Sequence, residues 1–132
     1  DVGLLAAMSQ TQPKDILLGN KVFSEFKGAF SENYVLQQIR PLKDIYTYYY
    51  SKENSQLEID FLLQCAGEVI PLEVKAEENV KSKSLRTFVD GSDQEMKGLR
   101  VSMKQYIDQG WMENIPLTAV EAYFTKKLKS YG

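Results

Sequence analysis

The stretch from Leu57 to Ala76 reads Leu-Glu-Ile-Asp-Phe-Leu-Leu-Gln-Cys, a turn at Ala66-Gly67, and then Glu-Val-Ile-Pro-Leu-Glu-Val-Lys-Ala. Two strand-like apolar runs face each other across a short turn. One carries Asp60, and the other carries Glu73 and Lys75 two residues apart. Side chains alternate faces along a strand, so Ile70, Leu72 and Val74 share one face and Pro71, Glu73 and Lys75 the other. Pairing of the two runs puts Asp60 beside Glu73 and Lys75. Two carboxylates and an ammonium on a buried hairpin are costly unless something pairs them. A divalent ion such as Mg²⁺ (or Mn²⁺) would do so, with Asp60 and Glu73 as ligands, the Val74 carbonyl as a third oxygen and several retained waters. Lys75 would then stand by a water or a developing negative charge, suited to phosphodiester hydrolysis. An ion-pair cluster of the same three residues, holding without metal, is the alternative.

A fourth acid can reach such a site from outside the sheet. Glu32 lies in a helix expected over residues 24–40. Phe23, Phe26, Phe30, Tyr34 and Ile39 form its apolar stripe, widened by Ala29, Val35 and Leu36, and Pro41 stops it. A carboxylate bordering a buried stripe either points to water or is aimed over the sheet edge.

The remaining elements must position these groups. Residues 2–9 read as a short helix and 11–20 as a loop. Strands are expected at 45–50, 57–65 and 68–75, forming a three-strand meander. A helix over 83–90, introduced by Ser82 or Ser84, precedes a further strand at 96–103. Residues 113–116 read as a brief edge strand and 117–128 as a terminal helix. The order describes an α/β protein with one mixed sheet and helices packed on it.

Composition narrows the chemistry. The chain has 132 residues, 43% of them hydrophobic and 26% charged, as expected for one domain with a real core. It has no histidine, so a histidine triad and a histidine-rich zinc site are excluded within it. The single cysteine, Cys65, sits in an apolar run as a core thiol and forms no internal disulfide, which fits a reducing, cytoplasmic setting. No apolar run approaches the roughly 20 residues needed to span a membrane. The net charge of −2 makes no global case for nucleic acid, so any such contact needs a local patch. Lys81, Lys83 and Arg86, directly after the Glu-x-Lys run, are the best local basic patch for phosphates, with an ordinary charged helix start as the plain reading. Tyr48, Tyr49 and Tyr50 read as a mixture of core and surface residues, with base stacking the alternative. Trp111 reads as a packing anchor, and Lys126, Lys127 and Lys129 as a frayed basic tail.

Taken together, the helix with a Glu, the strand, the strand with an Asp, the strand with Glu-x-Lys, the helix and the further strand resemble the core of the PD-(D/E)XK nuclease superfamily. The resemblance implies a restriction-endonuclease-like fold, Mg²⁺ at Asp60 and Glu73, and catalytic roles for Asp60, Glu73, Lys75 and Glu32. The local wording is similar to one group in particular. Gly28-Ala29-Phe30-Ser31-Glu32-Asn33-Tyr34-Val35, Glu58-Ile59-Asp60-Phe61-Leu62, Ile70-Pro71-Leu72-Glu73-Val74-Lys75-Ala76 and Val80-Lys81-Ser82-Lys83-Ser84-Leu85 resemble an uncharacterised nuclease-like domain. That domain follows an AAA+ ATPase module in many prokaryotic proteins. Asp1-Val2-Gly3-Leu4-Leu5 resembles the junction entering it. The implied organisation is a junction over 1–20 and a nuclease-like domain over 21–132, with ATP bound only in the upstream module. The implied partners are DNA, that ATPase module and further copies of the chain. The implied function is either Mg²⁺-dependent DNA hydrolysis or a catalytically inactive module for DNA binding, protein binding or ATPase assembly.

Overall fold

Helix α1 (Lys21–Ile39) packs on the sheet through Val35, Leu36 and Ile39, all buried. The computed structural model describes residues 21–49, 59–76 and 82–131. The expected helix over 2–9 and loop over 11–20 lie outside those residues. The side chains of Phe23 and Phe26 lie outside the described residues; over residues 28–39 the buried face of α1 keeps Ile39 but otherwise departs from the expected stripe. Tyr34 is exposed and Phe30 only half-buried, whereas the residues that merely widened the stripe, Val35 and Leu36, sit in the core. Glu32 stands one helical turn ahead of both, so its carboxyl lies on the sheet side of the helix.

Among the described residues six strands form one sheet, in the order β1-β2-β3-β4-β6-β5. They are β1 (Ile45–Tyr49), β2 (Phe61–Cys65), β3 (Glu68–Lys75), β4 (Gly98–Ser102), β5 (Ile107–Asp108) and β6 (Met112–Pro116). The first three make the expected antiparallel meander. Cys65 pairs with Glu68 across the two-residue turn Ala66-Gly67, and both turn residues have positive φ, 54° and 76°. That is the backbone twist a tight hairpin requires. This turn fixes the register, setting Phe61 against Leu72 and Leu63 against Ile70.

After β3 the chain crosses through α2 (Lys83–Asp90) and returns as β4, parallel to β3. Strand β6 is parallel to β4 and carries β5 on its other side, antiparallel. The segment expected as an edge strand at 113–116 is therefore interior, and the two-residue β5 takes the edge. A two-residue strand has too few side chains to show an alternation, which is why the sequence hides it. A short 3₁₀ turn, Leu117–Ala119, leads into α3 (Val120–Tyr131). Helix α3 is no frayed tail. Val120 and Phe124 are fully buried, and Lys127 makes a 2.9 Å ion pair with Glu68 on β3.

The core lies between one sheet face and helices α1 and α3. Phe61, Leu63, Cys65, Ile70, Leu72, Leu99, Val101 and Ile115 supply the sheet side. The other face is covered by α2. Gly98 makes that possible, because a Cβ there would lie 3.0 Å from the Leu85 side chain. Tyr48 and Tyr49 are both exposed, since among the described residues β1 has a sheet neighbour on one side only; Tyr50 lies outside the described residues. No helix among the described residues is long and apolar enough to cross a membrane.

Candidate functional site

The acidic residues gather at the end of the meander where β3 finishes. Asp60 immediately precedes β2, one residue short of the expected strand position. Its Oδ2 accepts a 2.7 Å hydrogen bond from the Val74 N–H. The carboxylate thus takes up a main-chain donor on β3, tying the entry of one strand to the exit of the other. Glu73 points to the α2 face, as alternation predicts, and is only 2% exposed. Lys75 follows on the same face, with its Nζ 3.3 Å from Glu73 Oε1. The other carboxylate oxygen, Oε2, is buried with no hydrogen-bond partner among the described residues.

Glu32 reaches Asp60 from α1. Burial, the hydrogen bond to Asp60 and the Asp60 charge together push the Glu32 carboxyl up to about 7, from 4.5. Burial also raises the Glu73 carboxyl, helped by the charge of Asp60. Lys75 and the Ser82 hydroxyl pull it back. The structure therefore joins Glu32 to Asp60, Lys75 to Glu73, and the two pairs electrostatically. Among the described residues, no three histidine, cysteine, aspartate or glutamate side chains close into a single metal cage.

Behind Glu73 lies a buried polar network that sequence reasoning missed. Glu73 and Arg100 are register partners on the parallel strands β3 and β4. Arg100 is 7% exposed. Its Nε donates to Asn114 Oδ1 at 2.8 Å and its Nη1 to Ser82 Oγ at 3.1 Å. The Ser102 hydroxyl donates to the same Asn114 oxygen at 2.7 Å. Asn114 Nδ2 in turn donates to the carbonyls of Lys104 and Gln105. A signal existed in the polar residues Arg100 and Ser102, alternating with Leu99 and Val101 in a short apolar strand. Only the position of α2 tells that their face is covered.

The basic patch is divided. Lys81 lies outside the described residues, and Lys83 is exposed in the first turn of α2. Arg86 is engaged locally, pairing with Asp90 at 2.9 Å and lying 4.8 Å over the Trp111 ring.

A family model described as a domain of unknown function, DUF4143, matches residues 27–124. No curated protein and no solved structure matches the chain.

Proposed function

The chain belongs to the DUF4143 domain family, and for this member we propose a nuclease-like hydrolytic centre at the end of β3, acting on the phosphodiester backbone of DNA. The observation that carries the reading is the Oε2 of Glu73, a buried carboxylate oxygen without a hydrogen-bond partner among the described residues, close to Asp60 and Lys75. A buried anionic oxygen left unpaired is expensive, and a cation is the ligand that relieves it. Two carboxylates, with waters kept, match the donor set Mg²⁺ favours, so Asp60 and Glu73 would hold Mg²⁺ or Mn²⁺. Bound there, the ion supplies Lewis-acid polarisation of a phosphoryl oxygen and an acidified water.

The chain's own residues have distinct tasks in this reading. Asp60 is pre-oriented, since one of its oxygens is fixed by the Val74 N–H. Lys75, partly exposed, presents its ammonium to negative charge developing on the phosphoryl group. Glu32, titrating near neutrality, exchanges a proton with its surroundings at working pH. The mixed sheet and flanking helices support a restriction-endonuclease-like core. Lys83 and Arg86 lie on α2 after β3, where they would meet phosphates, and Lys81 shortly precedes them in the sequence. The resemblance of the opening residues supports placement behind an AAA+ ATPase module of a prokaryotic protein. Calorimetric titration of Mn²⁺ tests the site: binding by the wild type and its loss in Asp60→Asn are expected. An unchanged titration in Asp60→Asn removes the assignment. DNA cleavage by the parent protein, abolished in Lys75→Ala, tests the chemistry.

A second reading is favoured by a different observation. Glu32 with Asp60 and Lys75 with Glu73 already pair among themselves. In that reading the domain is a non-catalytic module for DNA binding, protein binding or ATPase assembly. It predicts that Lys75→Ala leaves the parent protein's function intact.

A further inference from the structure

Ser82 occupies the N-cap position of α2, yet its side chain makes no capping hydrogen bond. Serine at that position ordinarily satisfies a free N–H of the first turn. Here the hydroxyl is turned elsewhere: it accepts from Arg100 Nη1 at 3.1 Å, and it acts on the Glu73 carboxyl against the effect of burial. A hydroxyl has one proton to give and lone pairs to receive. Receiving from the guanidinium leaves that proton available to Glu73, the register neighbour of Arg100 on β3.

The guanidinium is itself fixed from behind. Asn114 is fully buried, and its Oδ1 takes Arg100 Nε and the Ser102 hydroxyl together. Its amide is clamped by the Lys104 and Gln105 carbonyls, which settles which way the side chain faces. The order is thus a loop carbonyl pair, Asn114, Arg100, Ser82 and Glu73. Strands β6, β4 and β3 contribute one member each. Arg100 and Glu73 are register neighbours, so the chain of contacts runs across the sheet. Among the described residues, Arg100 makes no carboxylate ion pair within 4.0 Å. Its charge is spent on neutral groups that lead to Glu73.

We propose that Arg100, held by Asn114, is a positioning residue that works through Ser82 to set the orientation of the Glu73 carboxylate. This rests on the site proposed above. Outer partners of metal-binding carboxylates tune affinity by about 10–100-fold when removed. Ser82 is the informative position, because its hydroxyl does not cap the helix and its loss leaves α2 able to form.

The test compares Ser82→Ala, Ser82→Thr and Arg100→Lys in the full chain by two measurements. The first is the ¹³Cδ chemical shift of Glu73 without metal. It moves in Ser82→Ala and Arg100→Lys, while Ser82→Thr, which keeps the hydroxyl, stays with the wild type. A Glu73 shift unmoved in Ser82→Ala overturns the relay. The second is Mn²⁺ affinity, weakened about 10-fold or more in Ser82→Ala and restored to within about twofold in Ser82→Thr. Wild-type affinity in Ser82→Ala also overturns it. A wild type that takes no Mn²⁺ while the Glu73 shift responds retires the metal site and upholds the positioning role. A uniform loss of melting temperature with both readouts unmoved reduces the network to scaffold and defeats the proposal.

Discussion

Glu32 on α1 faces Asp60 at the mouth of β2, and burial, reinforced by the Asp60 carboxyl, raises the Glu32 carboxyl from 4.5 to about 7. Two acids in contact cannot both ionise cheaply, and the half-buried setting sharpens that cost. The contact ties the outer helix to the strand end that bears the site.

The burial of Glu32 beside Asp60 gives stability a definite pH dependence. Glu32 has its folded-state value raised from 4.5 to about 7. The folded chain therefore binds more protons than the unfolded chain in that interval, and stability falls as pH rises through it. The contribution is fully present below about 4.5 and lost above about 7. Glu73 is shifted in the same direction. Glu32→Gln keeps a donor facing Asp60 and removes the titration. Urea unfolding from pH 5 to 8 is expected to show a flatter profile for the variant and higher stability than the wild type at pH 8. An identical slope in both proteins would place the pH dependence elsewhere.

Asp60 is structural as well as acidic, through its 2.7 Å acceptance of the Val74 N–H. A hydrogen bond to a charged acceptor contributes about 1.5–3 kcal/mol net. Asp60→Ala should lose stability of about that size at pH 8, offset in part by relief of Glu32. In the same variant the Glu32 carboxyl returns toward its ordinary range, which carboxyl ¹³C titration reads directly. Asp60→Asn keeps an acceptor for Val74 and should cost less.

Gly98 and Leu85 form a size-matched pair where α2 meets β4. A methyl group at Gly98 would fall 3.0 Å from Leu85 carbons, tighter than nine in ten real Cβ contacts. Overpacking of this kind costs about 1–3 kcal/mol. Gly98→Ala should therefore lower the urea midpoint, and Leu85→Ala should do so through a cavity. The double variant should lose less than the sum of the two, because the new methyl partly fills the space that Leu85 vacates. Strict additivity would show that α2 does not rest on β4 through this pair.

Much of the site was legible because its signals are local. A two-residue turn at Ala66-Gly67 fixes the hairpin register, and register fixes which side of β3 Glu73 occupies. Glu32 could be put beside the apolar side of its helix, but whether it turns to water or to the sheet stayed open, because the buried face is the one that holds Val35 and Leu36. What escaped depends on elements distant in sequence. Arg100, Ser102 and Asn114 look like the solvent side of two short strands until α2 is laid over them. That placement follows from the β3–α2–β4 crossover and the notch at Gly98. Strand β6 looked like an edge because the two-residue β5 that covers it carries no pattern of its own. Lys127 looked like part of a loose tail because its partner, Glu68, lies far off in the chain.

Lys75 and Glu73 provide the last test, since their pairing separates two roles for the lysine. Lys75 Nζ sits 3.3 Å from Glu73 Oε1 and is the main influence holding the Glu73 carboxyl down against burial. Lys75→Met keeps the aliphatic stem and removes the charge. Glu73 is then raised further, so its folded form keeps its proton to higher pH. The stability tied to that proton is present below the ordinary carboxylate range and is lost later, and over a wider interval, as pH rises. Wild type and Lys75→Met should therefore unfold at similar urea concentrations at pH 4.5, with the variant falling progressively behind by pH 8. A gap constant with pH would mean that Lys75 does not stabilise the Glu73 anion. The ammonium would then be left free to face a phosphate, and any loss of DNA cleavage in Lys75→Ala would be read as chemistry alone.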